Sequence, residues 1–285
     1  MGGLLSGLDK LGLGKLEGMD LFEDSKASEQ KAVKKEPPKV KEMDFLFDKT
    51  TTCPICDKEF KEKTVKVGKA KLLKTDLDLR PVYEGIDVIK YDVISCPACG
   101  YTALSRYFPT VMPSQAKAIA ENISKAYHSD FKAEEVESYD YARALNRYKL
   151  CLANAIVKKA KSSEKAYICL KAAWLLRGME EHLEETDADY NEKLEDYADQ
   201  EREFLKNALE GFVTARQSEG FPMCGMDEST VDYLIAVLAM RFEKYEIASK
   251  MVAGILTSIS ANSRTKDKAR DLKEILQEKI RESRA

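Results

Sequence analysis

The chain has 285 residues, 44% of them hydrophobic, enough to bury one large core or two modest ones and too apolar for disorder over most of its length. Its 46 basic residues against 49 acidic ones give a net charge of −3, which excludes a strong global field drawing in nucleic acid or membrane. No apolar run approaches the roughly 20 residues that span a bilayer, and the opening MGGLLSGLDKLGLGKLEG lacks a basic start followed by a solid apolar block, so a cytoplasmic protein is expected.

Residues 1–43 read as a flexible tail with a short apolar segment. Leu4, Leu5, Leu8, Leu11 and Leu16 recur near helical spacing, but they sit among glycines, each of which costs a helix about 1 kcal/mol against Ala. The following EDSKASEQKAVKKEPPKVKE is charged, poor in aromatics and broken by Pro37-Pro38, the composition of a solvated linker. An apolar tag on a tether results, which either docks on its own domain or serves as a recognition peptide for another protein.

The segment 44–112 carries the one chemically specific signal, Cys53-Pro-Ile-Cys56 and Cys96-Pro-Ala-Cys99. Each CxxC turn sets two sulfurs a metal's bite apart, and two such turns complete a tetrahedral four-thiolate shell, so Cys53, Cys56, Cys96 and Cys99 are the expected ligands of a structural Zn2+. A catalytic zinc keeps an open position and often uses His; His128 and His182 are distant in sequence from both pairs. The competing reading is a redox dithiol, which needs a helix N-terminus in a βαβ setting that these flanks do not offer. TVKVGKAKLL and VIKYDVIS are β-prone, so hairpins around the metal are expected, forming a zinc ribbon. Zinc binding contributes on the order of 10 kcal/mol to small metal domains. Lysines 58, 61, 63, 66, 69, 71 and 74, followed by Tyr83, Tyr91 and Tyr101, supply the ingredients of nucleic-acid binding, against which stand Glu59, Glu62, Asp76 and Asp78.

From Pro113 to residue 285 the period becomes helical. Tyr141, Leu145, Tyr148, Leu152 and Ile156 mark one apolar face, and Tyr167, Leu170 and Trp174 another. Breaks are expected at Lys161-Ser162-Ser163, Thr186-Asp187, Gly220-Phe221-Pro222 and Asn262-Ser263, with Ser229 and Asp232 forming a capping box. In YLIAVLAMRFEKYEIASKMVAGIL, the small residues Ala236 and Ala248 flank a turn at Tyr245, which resembles a degenerate tetratricopeptide repeat. The helices are expected to hold a core of their own, so that losing the metal melts the ribbon and leaves much of the helical signal. The acidic run over 180–203 reads as a solvated face rather than a cation site, since no His joins it at ligand spacing. Cys224, in a loop opening a helix, would be an activated thiol only if the helix terminus lowered its pKa. No catalytic residue and no organic cofactor site is read.

Four blocks, FDKTTTCPICDKEF, RPVYEGIDVIKYDVISCPACGY, KAAWLLRG and DYLIAVLAMRFEKYEIA, together resemble an uncharacterised bacterial family catalogued as domain of unknown function 2225. The resemblance covers about residues 45–280 and implies a zinc ribbon joined to tetratricopeptide-like helices, with no assigned reaction. Asp57 departs from the glycine usual after such a knuckle, a position that often needs left-handed backbone, which Asp tolerates better than most residues. The fold class expected is therefore α+β. The function expected is a zinc-stabilised scaffold or adaptor whose helices bind a protein or peptide, the alternative being a nucleic-acid or ribonucleoprotein module that uses the lysine-rich ribbon.

Overall fold

Strands begin where threonine and alternating side chains replace the charged linker. In the computed structural model of the chain, which describes residues 41–128, 136–187 and 189–283, β1 (Leu46–Thr52) pairs antiparallel with β2 (Glu59–Val65), Leu46 opposite Val65 and Thr52 opposite Glu59. The hairpins β3 (Leu72–Thr75) with β4 (Pro81–Tyr83), and β5 (Val93–Ser95) with β6 (Thr102–Leu104), remain separate two-stranded sheets. A lone two-stranded hairpin is marginal in water, so each of these needs outside support. The β-prone VIKYDVIS yields strand only at Val93–Ser95. Its first half is a 3-10 turn, Val88–Tyr91, because the Asp87 carboxylate accepts the Ile89 N–H at 3.0 Å and caps a helical turn there.

Helices follow: α1 (Pro113–Ile119), α2 (Tyr141–Val157), α3 (Ser162–Glu181), α4 (Tyr190–Ser218), α5 (Glu228–Arg241), α6 (Tyr245–Thr257) and α7 (Ser263–Glu282). Small antiparallel strand pairs and then mostly helix make the fold α+β. The four expected breaks fall at or beside helix ends, and Asn262 caps α7 by accepting the Thr265 N–H at 2.8 Å. The expected cap of α5 moves, however, from Ser229 to Asp227, which accepts the Thr230 N–H at 2.8 Å. Asp232 is drawn elsewhere: buried, it receives the Arg216 guanidinium of α4 at 2.5 Å.

One buried cluster runs through α2 to α7, and it takes in Ile89, Val93 and Leu104 from the strand-bearing segment. The helices therefore share their core with the hairpins, and the described residues form one compact unit. On α2 the buried face is Ala144, Leu145, Tyr148, Cys151, Asn154 and Ala155, whereas Ile156, expected inside, is 59% exposed. At about 100° per residue, Ile156 falls beyond Leu145 and Leu152, at the edge of that face.

Ion pairs hold β3 and β4 onto the helices. Trp174 of α3 donates its indole N–H to Asp78 at 3.1 Å, and Arg177 donates to Asp78 at 2.7 Å and to Glu201 of α4 at 2.7 Å. Arg80 pairs with Glu181. Among the described residues no helix is long and apolar enough to cross a membrane. The apolar segment at the N-terminus lies outside the described residues.

Candidate metal centre

Each cysteine pair sits in the turn of a hairpin, the first between β1 and β2 and the second between β5 and β6. The two turns are built alike. In the first, the Cys53 N–H donates to the Lys58 carbonyl at 3.0 Å and the Asp57 N–H to the Cys53 carbonyl at 2.9 Å. In the second, Cys96 donates to Tyr101 at 2.8 Å and Gly100 to Cys96 at 3.0 Å. Both turns close through a left-handed residue, Asp57 at φ 56° and Gly100 at φ 73°. Asp57 thus adopts the left-handed conformation that Gly100 takes in the second turn.

The turns face one another and bring together the sulfurs of Cys53, Cys56, Cys96 and Cys99, all within 4.8 Å of each other. Cys53 Sγ lies 3.6 Å from Cys99 Sγ, and Cys56 Sγ 3.7 Å from Cys96 Sγ. These distances exceed a disulfide's roughly 2.05 Å and fit a tetrahedral shell, in which ligands about 2.3 Å from the ion stand about 3.8 Å apart. Cys53, Cys96 and Cys99 are buried and Cys56 half-buried. Hydrogen bonds from the Cys53 and Cys99 thiols hold Cys96 well below the ordinary thiol range. The same sharing, with burial, pushes Cys53 and Cys99 up. A cluster that stabilises one thiolate among neighbouring thiols suits a cation that would neutralise all four.

An apolar shell surrounds the sulfurs. Tyr101 packs on Phe108 with ring centroids 4.8 Å apart and donates its hydroxyl to the Phe108 carbonyl at 3.1 Å, while Phe60 meets Phe108 edge-on at 6.1 Å. Sequence reasoning missed two further supports. Asn154 of α2 reaches the second turn, its amide donating to the Gly100 carbonyl at 3.1 Å. A polar residue on an otherwise apolar helix face was the available signal. Glu62, the second support, is buried among lysines on β2. It accepts the Ser95 N–H of β5 at 3.4 Å and the Tyr139 hydroxyl at 2.9 Å, and it pairs with Arg147 of α2. Burial raises its pKa despite the Arg147 guanidinium. One carboxylate thereby ties both hairpins to α2.

The other cysteines are elsewhere. Burial pushes Cys224 up rather than down, and its thiol donates to the Ser163 carbonyl at 3.3 Å, so the activated thiol considered from the sequence does not form. Burial also raises Cys151 and Cys169, the latter to about 12. Among the described residues the four cysteines are the one group with metal-binding geometry, and neither histidine nor the acidic 180–203 run joins another. Within that run Glu201 is buried and paired with Arg177 and Arg241. Of the three tyrosines that follow the lysine-rich stretch, Tyr91 and Tyr101 are buried.

No curated protein and no solved structure matches the chain. The family model described as "Uncharacterized protein conserved in bacteria (DUF2225)" matches residues 46–276, from the first residue of β1 into α7 and across both cysteine turns. The chain belongs to that bacterial family.

Proposed function

We propose that the protein is a zinc-stapled adaptor of a reducing compartment. Cys53, Cys56, Cys96 and Cys99 hold one structural Zn2+, and the helical array binds a protein or peptide partner. The observation that carries this reading is the closed, largely buried set of four sulfurs at tetrahedral spacing, because four protein thiolates leave no position for water or substrate. The ion would lock two hairpins that are marginal alone and do no chemistry. Soft thiolate donors favour zinc over hard cations.

Burial of Ala236 on α5 and Ala248 on α6, in two helices joined across residues 242–244, supports the tetratricopeptide-like reading, since small residues let paired helices approach closely. Stacked helix pairs present extended surfaces suited to peptides. Two observations rank a protein partner above nucleic acid. Tyr91 and Tyr101 are too buried to stack on bases, and Lys63, Lys71 and Lys74 already pair with Asp48, Glu84 and Asp76.

Metal analysis of protein purified without chelator tests the first half. One equivalent of zinc is expected, lost in a Cys96→Ala, Cys99→Ala double variant, and less than half an equivalent in the parent would count against it. For the second half, full-length protein captured on beads in its native extract should retain a defined protein after nuclease treatment. Retention abolished by nuclease, or by raising salt from low to physiological, would favour the nucleic-acid reading instead.

A further inference from the structure

The four sulfurs are not equally sheltered. Cys53 and Cys96 have no exposed surface and Cys99 is 6% exposed, whereas Cys56 is half-buried. The turn is open on that side, since Asp57, Lys58 and Glu59, the residues that follow, are all exposed. Of the chain's seven cysteines Cys56 is the one that is not buried, because Cys151, Cys169 and Cys224 lie inside the helical core or its edge. Across the cluster its sulfur stands 3.7 Å from that of Cys96, which belongs to the other hairpin.

Sulfur held as a zinc ligand is thiolate, and oxidation of cysteine follows thiolate character and exposure. A small neutral oxidant therefore meets Cys56 first and finds a second thiolate in contact with it. We infer, on the reading of the four cysteines as zinc ligands, that Cys56 is a peroxide-sensitive site whose oxidation forms a Cys56–Cys96 disulfide and releases the ion. The resolving sulfur comes from the opposite turn, so the helix-terminus setting of a CxxC dithiol is not required.

The Cys56 thiolate attacks one oxygen of hydrogen peroxide, the O–O bond breaks, hydroxide leaves and a sulfenic acid remains. The Cys96 thiolate attacks that sulfur, the S–O bond breaks, a second hydroxide leaves and the S–S bond forms. The two cysteines lose two electrons, the peroxide gains them, and solvent protons convert both hydroxides to water. Closing the bond shortens the sulfur separation from 3.7 Å to roughly 2.05 Å. Cys53 and Cys99 then fill only half of a tetrahedral shell, and the ion departs as Zn2+. The new bond joins residues 40 positions apart, so the two turns stay together and a thiol reductant with zinc restores the site.

Full-length protein of measured zinc content would be treated with hydrogen peroxide beside a colorimetric zinc chelator, and its disulfides mapped by mass spectrometry. The expected result is two thiols lost per zinc released, a linked Cys56–Cys96 peptide pair, free Cys151, Cys169 and Cys224, and rebinding of zinc after dithiothreitol and Zn2+ are added. A Cys56→His variant keeps a three-thiolate, one-imidazole set of the kind that holds structural zinc. It should release zinc at least about tenfold more slowly, because the exposed thiolate is gone. Cys99→His retains both reacting sulfurs and should release zinc at the rate of the parent. Should either variant fail to hold the ion, mapping of the parent decides. Retention of zinc through millimolar peroxide, any disulfide other than Cys56–Cys96, or first oxidation at another cysteine would each overturn the assignment while leaving the zinc site standing. Absence of zinc before peroxide is added would refute the zinc reading itself, and the oxidation site with it.

Discussion

Asp57 and Gly100 hold the same place in their respective turns, yet they answer differently to substitution. Both have left-handed backbone, which costs an L-residue roughly 1–2 kcal/mol. At Asp57 the side chain already bears that cost, so Asp57→Gly should change stability by no more than about 1 kcal/mol and leave zinc content intact. At Gly100 a Cβ would sit 2.5 Å from the Tyr127 ring, and Gly100→Ala should lose about 2 kcal/mol or more in urea denaturation. Two of the buried carboxylates, Glu62 and Asp78, form a second contrasting pair. Burial raises Glu62, so its contribution is full below an unfolded-chain pKa of about 4.3 and falls as pH rises toward the folded value. Asp78 is raised by burial, but hydrogen bonds and charge from Arg177, with the Trp174 N–H, bring it below the ordinary range. Its contribution is full above about pH 3.9 and is lost as pH falls. Stability measured against pH should therefore give slopes of opposite sign for parent minus Glu62→Gln and parent minus Asp78→Asn. Equal slopes would refute the assignment. The cysteines were legible because four soft ligands at fixed spacing have few other uses. Glu62 was not, because its partners Tyr139 and Arg147 are brought to it only by the fold.

Among the elements, the β3–β4 hairpin depends most on charge. Its strands are mostly exposed or half-buried, with Leu72 and Leu73 each at least 50% exposed, and its attachment to α3 and α4 runs through Asp76, Asp78 and Arg80. Arg177 is the hub, since it also pairs with Glu201, which Arg241 reaches at 2.5 Å. Removing one partner of a buried ion pair leaves a charge stranded, at a cost of about 3–5 kcal/mol. Arg177→Met should lower stability by about that much and speed amide exchange at Leu72–Thr75 before the helices open. Wild-type protection of the hairpin in that variant would show that apolar contacts suffice. The helix breaks were legible because Gly, Pro, Ser and Asn punctuate them. The α5 cap was displaced by two residues because Asp227, an equally good cap, precedes Ser229, and Asp232 was committed to Arg216 on another helix, a pairing invisible along the chain. VIKY has strand propensity, overridden by the cap in which the Asp87 carboxylate accepts the Ile89 N–H.

At the scale of the whole molecule, hydrophobic periodicity located the helices but could not reveal that they share a core with the hairpins. A ribbon with its own metal reads in sequence as a separable module, since its cysteines and the apolar faces of the helices are distinct patterns. Packing joins them. Ile89, Val93 and Leu104 lie in the same buried cluster as Leu170, Phe212 and Leu234, and Arg147 of α2 donates to the Val93 carbonyl at 2.5 Å while pairing with Glu62. The Asn154 amide on the Gly100 carbonyl carries that linkage into the second cysteine turn itself. Loss of the proposed ion would therefore release two marginal hairpins, expose part of the helical core and strand Arg147 and Asn154 at once. Stripping the metal, or replacing Cys96 and Cys99 with Ala, should shift one cooperative transition to lower denaturant, with the helical circular dichroism and the fluorescence of Trp174 moving together. Two resolved transitions, with the helical one at the midpoint of the parent protein, would mean that the helices stand without the ribbon and that the shared cluster contributes little.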